Sequence, residues 1–240
     1  LNHGKRGVNS MKIAVIGAMI SEIEELVHKT SANVSDNIFG TNSYYKKIEN
    51  IDLHIFECGI GKVNASAITQ LIITKYKPDL IINSGVAGSL KEHNKIGDII
   101  IGNEITHHDV RPEQMENCFP FQKSFFCNDE WIAKTLNACK KSIRNNIVVG
   151  TIVSGEDFIN STNRKNEIQN KYNADCVDME SSAIAHVAFI NNIPFIIIRT
   201  ICDNANEISH IDFEEFEKEN AKISSECIVE LMKEINTKIT

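Results

Sequence analysis

Two hydrophobic rhythms alternate along this chain. Short apolar runs closed by Gly or Asp read as strands: "MKIAVIGAM" (11–19), "PDLIINSG", "DIIIGNEITHHD", "NIVVGTIVSG", "ADCVDM" and "IPFIIIRTICD". Several are apolar on both faces, as strands covered by helices on each side must be. Between them stand helical patterns. "SEIEELVHK" puts Ile23, Leu26 and Val27 on one face, with Ser21 and Glu24 at capping-box spacing. "KVNASAITQLIITKYK" lines up Val63, Ala67, Ile68, Leu71 and Ile72. "DEWIAKTLNACKKSI", "RKNEIQNKY" and "ESSAIAHVAFINN" continue the series, and "DFEEFEKENAKISSECIVELMKEI" closes it as an amphipathic helix. "NSYYKKIEN" and "IDLHIFECG" predict a hairpin, and Val110 to Phe126 predicts irregular chain. Strand and helix alternating throughout define an α/β class with a largely parallel, helix-covered sheet. There is no internal repeat or low-complexity segment, so one domain is expected over 11–238. The polar, basic "LNHGKRGVNS" (1–10) has no apolar core of the secretory kind and is expected to be a disordered lead-in or an expression remnant.

Composition narrows the classes. With 240 residues, 42% of them hydrophobic, the chain can fill one substantial core. A net charge of -7 makes a nucleic-acid backbone a poor partner. No run reaches the ~18 apolar residues of a membrane span. The seven cysteines (58, 118, 127, 139, 176, 202, 227) show no CxxC and no zinc-type pairing with His. That scatter suits a reducing, cytoplasmic setting in which most thiols act as small core hydrophobes.

In a sheet of this class, ligands bind beyond the carboxyl ends of the strands. The residues expected there are Gly17, Ala18, Met19 and Glu22; Ser84 to Gly88; Glu156 to Asn160; Asp178, Met179 and Glu180; and Asp203 to Ala205. Acids gather beside Gly-rich turns with few cations, which suits a neutral polyhydroxylated ligand better than a phosphorylated one. Each residue alone has a plainer reading. Glu22 is one of three acids in "SEIEEL" and reads as a solvated helix charge. Asp203 reads equally as a turn cap, Glu180 as an acid favoured at a helix start, and Phe158 and Phe213 as core. The spacing of His107, His108, His186 and His210 is not that of metal ligands. Cys202 has no His base by motif and is not expected to act as a nucleophile.

Taken together and in order, "IGAM" with Glu22 beyond it, "GIGKVNA", "PDLIINSGVAGSL", "GDIII", "HHD", "IVSGEDFIN", "VDMESSAIAHV", "PFIIIRTICDNA" and "DFEEF" resemble the 5′-methylthioadenosine/S-adenosylhomocysteine nucleosidases of the purine nucleoside phosphorylase superfamily. The matches span roughly 11–235, and nine in the right order are far more specific than any one. The resemblance implies a three-layer αβα sandwich around a mixed, partly barrelled sheet, a homodimer, and hydrolysis of an N-glycosidic bond to adenine and a 5-thioribose sugar, with no metal or organic cofactor. It implies roles in methionine salvage and nucleoside catabolism. Carried over by position, it makes Glu22 the base that activates water and Asp203 the acid at purine N7. Glu180 holds the ribose hydroxyls, and Met179 lies under the sugar. Phe158 and Ile159 read adenine, Arg199 orders the water end, and Phe213 closes over the 5′ group. Ala18, Met19, Val86, Ala87 and Gly88 are expected to line the same site. Asp178 is expected to pair with Arg199 behind it.

The chemistry needs these types. Adenine leaves poorly as an anion, so a carboxylic acid with a raised pKa is wanted at N7. The ribosyl group becomes cationic as the bond stretches, and nearby negative charge stabilises it. Water needs a base on the opposite side, the logic of inverting glycosidases. Phosphorylases of the superfamily carry an arginine just before the Gly-rich turn after "LIIN"; here "INSGVAGSL" has none, which favours water as the nucleophile. An Asp rather than Asn at 203 favours a 6-amino purine. The alternatives are a 6-amino-6-deoxyfutalosine hydrolase, a phosphate-dependent purine nucleoside phosphorylase, or a nucleoside-binding protein that has lost catalysis. Three departures from the family pattern stand out: Asp178 for Glu, Cys202 for Ser, and an altered segment over 110–122. In that segment Val110, Pro112 and Met115 are candidates for the 5′ wall.

Overall fold

In the computed structural model, which describes residues 10–239, the first apolar run is strand β1 (Met11–Gly17), buried from Ile13 onward. There follow α1 (Ile20–Thr30), β2 (Asn33–Ile38), β3 (Thr41–Ile48), β4 (Ile51–Glu57), α2 (Lys62–Tyr76), β5 (Leu80–Ser89) and β6 (Ile99–His107). Then come α3 (Pro112–Asn117), β7 (Ser124–Phe126), α4 (Asp129–Ser142), β8 (Ile147–Ser154), α5 (Thr162–Tyr172), β9 (Cys176–Asp178), α6 (Ser181–Ile190), β10 (Phe195–Asp203) and α7 (Ser209–Ile239). All but Ser10 of the lead-in lies outside the described residues; the Ser10 hydroxyl bonds the Asp52 carboxylate.

Strand pairing explains why several runs are apolar on both faces. β5 pairs with β1 and β10 in parallel and with β9 antiparallel. β10 pairs with β6, β6 with β8, and β8 with β9, so β5, β10, β6, β8 and β9 close into a ring. From β5 the sheet also continues outward through β1, β4, β3 and β2. Every residue of β5 and of β10 is buried. Helices α1, α4 and α7 pack together on one side, and α2 against α6 on the other. This is the sandwich with a partly barrelled mixed sheet that the family resemblance implies.

Several local expectations change. Strand β2 is a mostly exposed, polar edge and carries no apolar signal to read. The stretch from Val110 to Phe126 is not wholly irregular, since it holds α3 and β7. Helix α2 buries Ala65, Ile68, Thr69, Ile72 and Ile73, while Val63 is 77% exposed. Apolar residues occur nearly all round it, so periodicity could not choose the face that meets α6. The capping box is displaced. Met19 precedes the first turn, and Glu22, not Glu24, reaches back to its backbone N–H. Finally, Cys139 on α4 and Cys227 on α7 are joined in a disulfide across 88 residues of chain, whereas the scatter of cysteines predicted free thiols. Cys58, Cys118, Cys127, Cys176 and Cys202 are free, and all but Cys118 are buried.

Candidate active site

The strand ends that converge at the ring's rim frame a cavity of about 370 Å³, of the size small-molecule sites take. Glu22, Glu180 and Asp203 all line it, and each is at least nine-tenths buried. So do Ala18, Met19, Val86, Ala87, Gly88, Phe158, Asp178, Met179 and Phe213. Ile159 lines a smaller adjoining recess of about 30 Å³ with Phe158, Gly88 and Asp203. Arg199 does not reach the cavity; it lies behind, 2% exposed. Val110, Pro112 and Met115 are not part of this chain's cavity wall, and Met115 is packed into the core. Pattern reading passed over Ile60, Val177 and His210, which also line the cavity. Ile60 sits inside "GIGK", and His210 precedes Phe213 by one helical turn, so motif and spacing both held a signal for them.

Each carboxylate accepts from backbone N–H groups, some next to it in the chain and some on distant elements. Glu22 stands in the first turn of α1. Its Oε2 accepts from Ala18 N at 2.6 Å and Met19 N at 3.2 Å, and its Oε1 accepts from Val86 N at 3.0 Å on β5. Burial raises its pKa, offset in part by Arg199 and these three N–H groups. β5 carries glycine where the carboxylates approach. A Cβ on Gly85 would stand 2.2 Å from Glu22 Oε1, and one on Gly88 would stand 2.8 Å from Asp203 Oδ1.

Asp203 ends β10, where the pairing with β5 slips between Ile201 and Asp203. Such a bulge re-aims side chains, and here it brings both Cys202 and Asp203 to the cavity. Asp203 Oδ1 accepts from Ala205 N at 2.7 Å, and the Cys202 thiol donates to Oδ2 at 3.3 Å. Burial lifts the Asp203 pKa, against the pull of Ala205, Cys202 and Ser209. Glu180 stands at the N-cap position of α6, where its side chain makes no capping bond and instead accepts from Gly61 N at 2.8 Å. Burial, with Asp178 and Glu22 nearby, pushes its pKa up to about 8.

Asp178 answers to Arg199, as the sequence suggested. Arg199 Nε donates to Asp178 Oδ2 at 2.6 Å, and Arg199 Nη2 donates to Asn83 Oδ1 at 2.5 Å. Ser154 Oγ donates to Asp178 Oδ1 at 2.5 Å, and the Ser181 hydroxyl bonds the same carboxylate. The network continues from Ser182 N to Ser154 Oγ and from Ser182 Oγ to His107 Nδ1, both at 2.8 Å. A fully partnered polar network of this kind rigidifies what it touches. Burial opposes the Arg199 charge, but Asp178, Glu22 and Glu180 outweigh it and raise its pKa. Among the described residues no arginine lines the cavity. Arg164, on α5, pairs with Glu167 at the surface.

On the aromatic side, Phe158 and Phe213 meet edge to face, with ring centroids 5.8 Å apart. Buried acids and a pair of aromatic rings thus line one cavity, a combination suited to a flat heterocycle attached to a hydroxylated group.

A five-strand ring extended into a helix-covered sheet, with acids at its rim, defines a nucleoside phosphorylase-like protein, and residues 12–233 match the phosphorylase superfamily. Within that superfamily the chain belongs to the 5′-methylthioadenosine/S-adenosylhomocysteine nucleosidase family. It is 35% identical over 224 residues to the nucleosidase of that name from an Exiguobacterium species (strain AT1b), covering 91% of this chain and 96% of the relative. It superposes with a TM-score of 0.85 and 33% identity on the Neisseria meningitidis nucleosidase in complex with methylthio-immucillin-A, covering 92% of this chain and 98% of that one. A futalosine hydrolase from Helicobacter pylori also superposes, with a TM-score of 0.87 over 93% of this chain and 98% of that one. At 24% identity that likeness speaks for the fold alone.

Proposed function

We propose that this protein hydrolyses the N-glycosidic bond of 5′-methylthioadenosine and S-adenosylhomocysteine, releasing adenine and the 5-thioribose sugar. The observation that carries the reading is the convergence of three buried carboxylates, Glu22, Glu180 and Asp203, on one cavity beside Phe158 and Phe213. The raised pKa of Asp203 suits it to hold a proton for adenine N7. Protonation there turns a poor anionic leaving group into a neutral base. Glu22, in its ionised form, takes the proton of the attacking water, and Arg199 nearby favours that form. Glu180, in its ionised form, accepts from the ribose hydroxyls, and that charge faces the positive charge that grows on the sugar. Phe158, with Ile159 beside it, forms the adenine wall. Met179 lies under the sugar, and Phe213 covers the 5′ end.

That no arginine among the described residues lines the cavity supports water over phosphate as the nucleophile. The reading includes one nucleosidase domain over 11–238 and a homodimer; exposed Phe119, Phe121, Phe126, Phe189 and Ile190 support a further contact surface. It also includes action in the cytoplasm. The free thiols support that placement and the Cys139–Cys227 disulfide opposes it, so thiol titration of the native protein decides.

The test is adenine release from 5′-methylthioadenosine with and without phosphate, identifying the sugar product. Free methylthioribose at a rate indifferent to phosphate is expected. A strict phosphate requirement with a sugar phosphate product overturns the reading in favour of a phosphorylase. Turnover of 6-amino-6-deoxyfutalosine alone moves it to that substrate, and binding without turnover moves it to a nucleoside-binding protein.

A further inference from the structure

Beyond the cavity wall, three contacts tie together three segments distant in sequence. Lys62 Nζ donates to Asp109 Oδ1 at 2.6 Å. The second oxygen of Asp109 accepts from the backbone N–H of Glu156 at 3.0 Å. The Glu156 side chain accepts from the backbone N–H of Lys62 at 2.9 Å. The loop therefore closes on itself: Lys62 to Asp109 to Glu156 and back to Lys62. The residue before Lys62 is Gly61, whose N–H holds Glu180 at 2.8 Å. Two residues beyond Glu156 is Phe158, on the cavity's aromatic side.

The turn at Gly61 is pressed against this loop. Its φ is +94°, and a Cβ there would stand 2.7 Å from Glu156 Oε2. Burial opposes the charge on Asp109, yet Lys62 and the Glu156 N–H outweigh it and hold its carboxyl below the usual range. An isolated ion pair at a surface contributes little. This one differs because two of its three members also bond through their backbone. Two of the three contacts thereby fix main chain, and only the Lys62–Asp109 pair joins side-chain tips.

We propose that Lys62, Asp109 and Glu156 form a positioning ring for the reaction, locking the Gly61 N–H that aims Glu180 and the loop that carries Phe158 into one rigid frame. None of the three lines the cavity; they act through Glu180 and Phe158. The inference rests on Glu180 being the group that holds the ribose hydroxyls. Its consequence is specificity: the ring sets how strongly the site prefers a ribose to a 2′-deoxyribose.

The experiment compares Asp109→Asn, Lys62→Met and the double variant, with 5′-methylthioadenosine and its 2′-deoxy counterpart as substrates. Each single variant is expected to lose about ten-fold in kcat/KM on the riboside, mostly through KM, because misplacing a binding group is costly. On the 2′-deoxy substrate the loss is expected to stay within about two-fold. The double variant is expected to be no worse than the worse single, since both break one ring, and Lys62→Arg is expected to recover part of the loss. Equal losses on both substrates, or losses that simply add, overturn the proposal. If a single variant is unfolded by circular dichroism, Glu156→Gln, which weakens one contact while leaving the charge pair, supplies the same comparison. Glu180→Gln in the otherwise unsubstituted protein separates the two levels of the argument. It is expected to abolish the ribose preference. If it keeps that preference, the role of Glu180 has failed and the ring's stated purpose falls with it. If it loses the preference while the ring variants retain it, the ring alone has failed.

Discussion

Burying Glu180 between Asp178 and Glu22 sets stability against function at a single residue. Its folded-state pKa of about 8 stands above the ordinary 4.5. The folded protein therefore binds that proton more tightly than the unfolded chain does, and the stabilisation is whole below 4.5 and lost as pH rises through about 8. Glu180→Gln keeps an oxygen to accept the Gly61 N–H but cannot ionise. It is expected to melt above the unsubstituted protein at pH 8, with the gap closing towards pH 4.5, as thermal melts at both pH values will show. The same variant is expected to bind the riboside less well, since an amide carries no charge to the hydroxyls. Glu22→Gln is expected to lower kcat by roughly 10²–10⁴, the usual contribution of a general base. A non-hydrolysable adenosine analogue should still bind it, by calorimetry, much as it binds the unsubstituted protein; loss of binding instead would make Glu22 a structural acid. Single residues were legible here only in company. Glu22 and Asp203 are unremarkable letters until the surrounding motifs stand at their distances. The bulge that turns Asp203 into the cavity leaves no local mark in "RTICDNA".

At the level of elements, β5 shows why the site lies where it does. Its glycines leave room for carboxylates that come from α1 and β10. Gly85→Ala places a methyl group where Glu22 Oε1 sits, 2.2 Å away. The carboxylate must leave the Val86 N–H, so kcat is expected to fall about as far as in Glu22→Gln while circular dichroism stays unchanged; full activity would show that Glu22 tolerates displacement. A contrasting change lies on α4. Asn128 caps that helix by accepting from Glu130 N at 2.9 Å and Trp131 N at 3.4 Å. Asn128→Ala is expected to cost about 1 kcal/mol of stability, seen in denaturant unfolding, with kcat unaltered. The strongly apolar elements β1, β5, β6 and β10 were legible because most of their residues are buried on both faces, and β8 was legible from its apolar run although its first half is partly exposed. β2 was not, because it has no apolar side to show, and the buried face of α2 was not, because apolar residues nearly surround it.

At the scale of the whole molecule, alternation of strand and helix announced the layered sheet, but nothing local announced that five strands would close into a ring. Closure depends on β9 and β10 returning to β5 from about 90 and about 115 residues away, and only the family resemblance implied it. The Cys139–Cys227 link was illegible for the same reason, since it is a property of where α4 and α7 meet. Helix α7 joins these scales. Its first turns bring His210 and Phe213 to the cavity, with Ile208 and Ile211 left exposed beside them. Its later turns bury Cys227, Ile228, Leu231 and Met232 against α1 and α4. One helix thus borders the cavity at its start and is anchored in the core along its later turns. A rigid swing would have to tear out the buried half, so opening of the cavity at this edge is expected to come from local unwinding of the first turns. Amides near residue 210 should exchange quickly with solvent deuterium in the empty protein and slow when an adenosine analogue is bound. Those near Cys227 should be slow in both, leaving product escape timed by a few turns of backbone rather than by the whole helix.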